Sequence, residues 1–257
     1  MSVRDITLLT GASRCMGLAM AHQLLSPHRH LLCISRSTNE ALAAEALRLN
    51  APLTQWVHDL SDTTGAAQRL QAWLDGLDTR ALHSATLINN AGMIPHIGPL
   101  DACPPDGLSA ALRVGLEAPM QLTAAFLRAT GAWVAAGWQG PRKVLNISSG
   151  LGRRAMAAQA PYCAAKAGMD HFTRCCALDE AQRPHGARLG SLAPGVIDTD
   201  MQVQLRAGDP TAFPDLQRFV ELQRQGQLTP PDTAAARVLA WLERPDFGAQ
   251  PVADVRD

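Results

Sequence analysis

Short apolar runs alternate with longer stretches of helical period along the whole chain. Residues 6–10, 31–35, 54–58, 86–89, 144–148 and 188–193 each form a brief run of the kind a buried strand requires. Between them, 18–25, 40–49, 66–74, 108–136 and 160–180 are rich in Ala and Leu at helical spacing. Strands joined by helices predict an α/β fold with a parallel sheet covered on both faces. No composition shift marks a linker, so residues 1–257 read as one domain. Gly131, Gly137 and Gly140, with Pro141, end the long middle helix. The polar segment 210–227, punctuated by Pro and Gly at its ends, reads as an insertion. Together with the residues from 200 onward, it is a candidate mobile lid over a substrate.

Charge and composition remove several functions. Basic and acidic side chains balance at 23 each, so no global field draws the chain to nucleic acid or an anionic membrane. No apolar run approaches the roughly 18 residues of a membrane span. The first residues lack the apolar segment of a secretion signal, and the six cysteines follow no C-x-x-C or framework spacing. A reducing, cytoplasmic setting is the expectation. Eight scattered histidines form neither H-E-x-x-H nor a Cys/His cluster, and no metal site is expected.

The first candidate site is a turn. Thr10-Gly11-Ala12-Ser13-Arg14-Cys15-Met16-Gly17 follows the first strand and opens the first helix. Such a turn lets backbone approach a pyrophosphate, and the helix N-terminus favours anions. The bland alternative is an ordinary tight strand-to-helix turn. The second strand ends Ile34-Ser35-Arg36, where an acidic residue would bind the ribose hydroxyls of NAD. Here that position is basic. Arg36 and Arg14 offer two cations for a 2′-phosphate, which favours NADP(H) over NAD.

The second candidate site is a set of three side chains. Tyr162, the only tyrosine, stands four residues before Lys166, one of two lysines in the chain. On a helix that spacing puts both on one face, where an ammonium is expected to lower the phenol pKa and make it a usable acid. Ser149 lies thirteen residues before Tyr162, after the fifth strand. Its hydroxyl is placed to hold a substrate oxygen, or alternatively to cap a turn.

Taken with Asn89-Asn90-Ala91-Gly92 and Pro194-Gly195, these motifs resemble the short-chain dehydrogenase/reductase family over essentially the whole length. The resemblance implies a three-layer Rossmann-type fold with a mainly parallel sheet of about seven strands. It implies a nicotinamide cofactor held by Gly11, Ser13, Arg14, Met16, Gly17, Arg36, Asp59, Leu60, Asn89, Ala91, Gly92, Tyr162, Lys166, Pro194, Gly195, Ile197 and Thr199. Tyr162 would then be the general acid, Lys166 its partner and Ser149 the carbonyl-binding hydroxyl. Residues 193–202 and the later Gly226-Gln227-Leu228 are similar to sepiapterin reductases and benzil-reductase-like enzymes. In the former a C-terminal aspartate anchors the pterin, and Asp254 falls at the matching place; a solvated tail charge is the alternative.

Two departures stand out. Cys15 occupies the place of a middle glycine, and Gly115 occupies the place of the family's usual asparagine, which relays protons through a water. Restoring that asparagine is expected to raise the rate, or at least not lower it. The reading is NADPH-dependent reduction of a small ketone, α-diketone or pterin side-chain ketone. Alcohol oxidation and acyl-carrier ketone reduction stay open, as does a non-catalytic NADP-binding sensor. Helices 108–136 and 160–180, apolar on more than one face, suit a homodimer or homotetramer.

Overall fold

A computed structural model describes residues 3–257. Seven strands, β1 (Asp5–Thr10), β2 (Arg29–Ser35), β3 (Leu53–Val57), β4 (Ser84–Asn89), β5 (Arg142–Ile147), β6 (Arg188–Ala193) and β7 (Val252–Asp254), form one sheet. Their order is β3-β2-β1-β4-β5-β6-β7, and every pairing is parallel. Helices α1 (Cys15–Leu24), α2 (Glu40–Arg48), α3 (Thr63–Asp75), α4 (Pro105–Leu112), α5 (Ala118–Ala135), α6 (Ala160–Ala181), α7 (Asp200–Arg206), α8 (Leu216–Arg224) and α9 (Pro231–Leu242) connect and flank the strands.

Alternate side chains of each strand feed opposite cores. Ile6 and Leu8 join Leu32, Ile34, Leu87 and Val144 beneath α3 and α5. Leu9 joins Leu31, Cys33, Ile88, Leu145 and Leu192 beneath α1 and α9. Both faces are therefore dry, which is why the strands read as continuous apolar runs rather than alternating ones. Fully burying one such leucine contributes about 2 kcal/mol.

Three features differ from the sequence reading. The middle helix is not continuous, because α4 and α5 are joined by a π-helical turn over Arg113–Glu117. Pro119 supplies the reason: it has no N–H to offer the carbonyl four residues back, at Gly115, so α-helical bonding fails there and the turn widens. The candidate lid is docked rather than loose. Leu205, Phe213, Leu216 and Phe219 form a small core of their own against Ile97 and Met156, with the two phenylalanine rings stacked 5.6 Å apart. The C-terminal residues are no free tail either, since β7 pairs with β6 and brings Asp254 opposite Ala193.

Candidate active site

The connections from β1 and β4 leave the sheet in opposite directions, since β2 lies on one side and β5 on the other. In an open parallel sheet this reversal leaves a crevice at the carboxyl ends of the two strands. A cleft of about 520 Å³ opens there.

Its first wall is the turn after β1, contributing Gly11, Ser13, Arg14, Met16 and Gly17. A Cβ on Gly17 would stand 2.0 Å from the Gly11 carbonyl oxygen, so only glycine allows the helix to start this close to the turn. Cys15, in the place of a middle glycine, has φ +49°, the left-handed region that an L side chain adopts at a cost. Cys15 thus carries a side chain on backbone held in a glycine conformation.

Hydrogen bonds lock this wall to its neighbours. The Ser35 hydroxyl accepts from the Ala12 N–H at 2.8 Å, and Thr10 Oγ1 accepts from the N–H groups of Asn90 and Ala91 at 3.0 Å each. Asn90 Nδ2 returns a bond to the Thr10 carbonyl at 3.0 Å. Ser35 and Thr10 stand within the two sequence motifs, but their roles as bracing hydroxyls come from contacts between strands that no local pattern carries.

At the far end lie Arg36, Asp59 and Leu60. The Asp59 carboxyl is held below its ordinary value, mainly by the Ser61 N–H, with Arg36 adding a smaller attraction. Ala91, Gly92, Pro194, Gly195, Ile197 and Thr199 line the central part. Asn89 does not. Its side chain is buried beneath the floor, donating to Asn146 Oδ1 at 2.8 Å and Thr123 Oγ1 at 3.2 Å. It supports the floor from below and has no surface in the cleft.

Ser149, Tyr162 and Lys166 meet on one wall. Ser149 follows β5 and caps a 3₁₀ turn over Gly150–Gly152 by accepting from the Leu151 N–H at 3.1 Å, so the capping and cleft-lining readings hold together. Tyr162 and Lys166 lie in the first two turns of α6, with the ammonium 5.9 Å from the phenol ring centre. Lys166 Nζ donates to the Ile147 carbonyl at 2.7 Å.

The titration behaviour departs from the sequence expectation. Burial raises the Tyr162 pKa, and the Ser149 hydroxyl, hydrogen-bonded to the phenol, pulls the other way. Lys166 itself falls to about 8, because burial outweighs the attraction of Asp170. In this state, then, the lysine is not what tunes the phenol; its ammonium is hydrogen-bonded to the Ile147 carbonyl.

Asp254 is also placed differently. Its carboxylate takes a two-point contact from Arg256, at 2.7 and 2.6 Å, and it is Arg256 that lines the cleft. Toward the substrate end the apolar side chains Ile94, Val114, Met156, Met201, Leu205 and Phe219 line the cleft beside the polar Arg154, Gln159, Gln202 and Arg218.

Gly115 explains itself by packing. It is buried in the π-helical turn, and a Cβ there would come within 3.0 Å of the Ala165 Cβ on α6. An asparagine would press on the residue next to Lys166. A rate kept or raised with asparagine here requires Ala165 to yield by a few tenths of an ångström.

Residues 5–210 match the short chain dehydrogenase family. The chain belongs to that family. The match covers β1 through α7 and so includes the turn, the serine and the Tyr/Lys pair. Over 240 residues the chain is 31% identical to a benzil reductase ((S)-benzoin forming) of Bacillus cereus, covering 93% of this chain and 94% of that protein. It is 30% identical over 255 residues to a sepiapterin reductase of Xenopus laevis, covering 93% and 90%. Among solved structures it is similar to a 3-oxoacyl-[acyl-carrier protein] reductase from Brucella melitensis in complex with NAD. That similarity has a TM-score of 0.79 at 25% identity, over 98% of this chain and 95% of the other. The short-chain dehydrogenases are oxidoreductases of carbonyl and alcohol groups that use NAD(P), and the fold described here is theirs. No helix among the described residues is long and apolar enough to cross a membrane.

Proposed function

We propose that this protein reduces a small ketone with NADPH, Tyr162 delivering the proton. The single observation that carries the reading is that Ser149, Tyr162 and Lys166 line the same cleft as the glycine turn. The cleft fits the cofactor by its own chemistry. The turn offers backbone amides and the N-terminal dipole of α1 to a pyrophosphate, and Gly17 lets α1 start hard against the Gly11 carbonyl.

Arg36 supports the phosphorylated form of the cofactor. It is exposed at the end of β2, where a carboxylate for ribose hydroxyls would stand in an NAD enzyme. The Brucella relative was solved with NAD, and the distinction rests on Arg36 and Arg14 of this chain. When bound, the dinucleotide supplies the hydride.

The chain's own residues then act on the substrate oxygen. Ser149 donates a hydrogen bond to it and stabilises growing charge. Tyr162 transfers its proton as the alkoxide forms, help worth roughly 10²–10⁴-fold. Lys166 presents a cation behind the phenol and is a donor for cofactor hydroxyls. Gly11, Ser13, Met16, Leu60, Ala91, Gly92, Pro194, Gly195, Ile197 and Thr199 contribute the surface along which the cofactor lies.

The apolar side chains toward the substrate end suit ketones with aryl or alkyl bodies, in keeping with a relative named for benzil. A pterin anchored on Asp254 is less well served, because Arg256 already holds that carboxylate. Following NADPH absorbance with aryl diketones, quinones and sepiapterin tests the reading. Consumption of NADPH with a diketone is the expected result; cofactor binding without consumption by any ketone would overturn it in favour of a sensor. A cytoplasmic homo-oligomer completes the proposal; on the two long helices the apolar Met120 of α5 and Leu178 of α6 stand exposed, which suits a second subunit.

A further inference from the structure

Asp170 is a buried carboxylate with no role in the reading above. It lies one helical turn after Lys166 on α6, only 1% exposed beside a lysine that is 4% exposed. Its Oδ1 accepts from the Ser191 hydroxyl of β6 at 2.6 Å. Among the described residues its Oδ2 has no hydrogen-bond partner, and Arg153 Nε lies 3.7 Å from it. Arg153 belongs to the segment that leaves the 3₁₀ turn after Ser149, and its other end donates to the Ala253 carbonyl of β7 at 3.2 Å. Gly152 in that turn sits directly on this part of α6: a Cβ there would stand 2.9 Å from both Asp170 Oδ2 and the Lys166 carbonyl oxygen.

A carboxylate buried this deeply needs a reason, since burying charge is costly unless it is partnered. One oxygen here is left without a hydrogen bond. We infer that Asp170 is a positioning residue of the reducing site: buried one helical turn after Lys166 on α6 and facing Arg153 of the segment after Ser149, it ties the Ser149 turn to the Tyr162–Lys166 helix and sets a negative charge one turn from the ammonium. The inference rests on the proposed roles of Tyr162 and Lys166.

The groups that bear on the pair come from each packed element. On α6 they are Tyr162 and Asp170 itself; from β5 comes the Ile147 carbonyl, from β6 Ser191, and from the turn Arg153. Among the described residues, Asp170 is the acidic group that supports Lys166 against burial. Without it the lysine would surrender its proton at lower pH. A cation-dependent reaction would then be lost earlier as pH rises.

The experiment is the pH profile of kcat/KM with NADPH and whichever diketone is reduced best. For the unaltered protein the alkaline limb is expected near the Lys166 value of about 8. Asp170→Asn keeps shape and an acceptor for Ser191 but removes the charge. Its limb is expected to move to lower pH by about one unit, a roughly tenfold loss at high pH, with much smaller loss near pH 6. Arg153→Gln is the second variant, more exposed and removing a competing cation, and its limb is expected to move the opposite way.

A uniform fall across the pH range, or limbs that stay put in both variants, would overturn the inference and leave Asp170 a structural residue. If Asp170→Asn does not fold, the direction of the Arg153→Gln shift decides alone. Failure of the unaltered protein to oxidise NADPH with any ketone would instead strike the functional reading itself.

Discussion

Arg14, in the turn after β1, and Asp200, the first residue of α7, form an ion pair at 2.9 Å. It joins the wall that would hold phosphates to the segment that covers the substrate end. Both side chains are more than half exposed, so the pair contributes no more than about 1 kcal/mol. Its interest is that Arg14 is already engaged. Asp200→Asn frees the guanidinium for a 2′-phosphate, and NADPH is expected to bind up to about fivefold tighter at low salt, with the gain fading at high salt. Fluorescence titration of NADPH measures this; weaker binding would show that the pair organises the turn instead.

Among the described residues Arg36 makes no ion pair, although its charge is felt by Asp59. A charge-assisted hydrogen bond to a 2′-phosphate is worth about 1.5–3 kcal/mol. Arg36→Asp is therefore expected to lower kcat/KM with NADPH by roughly 10- to 150-fold and to raise it with NADH. Unchanged coenzyme preference would remove Arg36 from the site.

Cys15 carries a strain visible only in its backbone. A non-glycine residue at φ +49° loses about 1 kcal/mol or more relative to glycine. Cys15→Gly is expected to raise Tm by about 2–4 °C for a chain of this size. Calorimetry checks it, and a fall in Tm would mean that the thiol's packing outweighs the strain.

Gly115→Asn tests the packing of the π-helical turn. The new side chain begins 3.0 Å from Ala165, whose neighbour is Lys166. The expected outcome is a lower kcat with near-normal cofactor affinity, and a rate equal to or above that of the unaltered protein would show that α6 yields without moving the lysine.

The layered fold was legible because its signals are local and repeated. Buried strands such as 31–35 have a short apolar run that no solvent-facing helix would carry, and the glycine turn and Tyr162/Lys166 spacing are local too. What escaped the sequence was decided by long-range contact. Burial of Tyr162 against α6's surroundings reverses the expected direction of its pKa. Asp254 ends a strand whose pairing with β6 no local pattern announced, and in that place its carboxylate is taken by Arg256 of the turn that follows. The π-helical turn was half legible, since Pro119 inside an otherwise helical run forbids regular bonding at Gly115. Asn89 was placed in the right strand yet on its buried side, where a polar network with Asn146 and Thr173 consumes it.

The most direct test of the central claim is Tyr162→Phe, assayed for ketone-dependent NADPH oxidation and, separately, for NADPH binding. Removing the one phenol in the chain is expected to lower kcat by at least about 10²-fold, while NADPH affinity stays within a few fold. Turnover that survives in this variant would contradict the account, because the proton would then come from some other group.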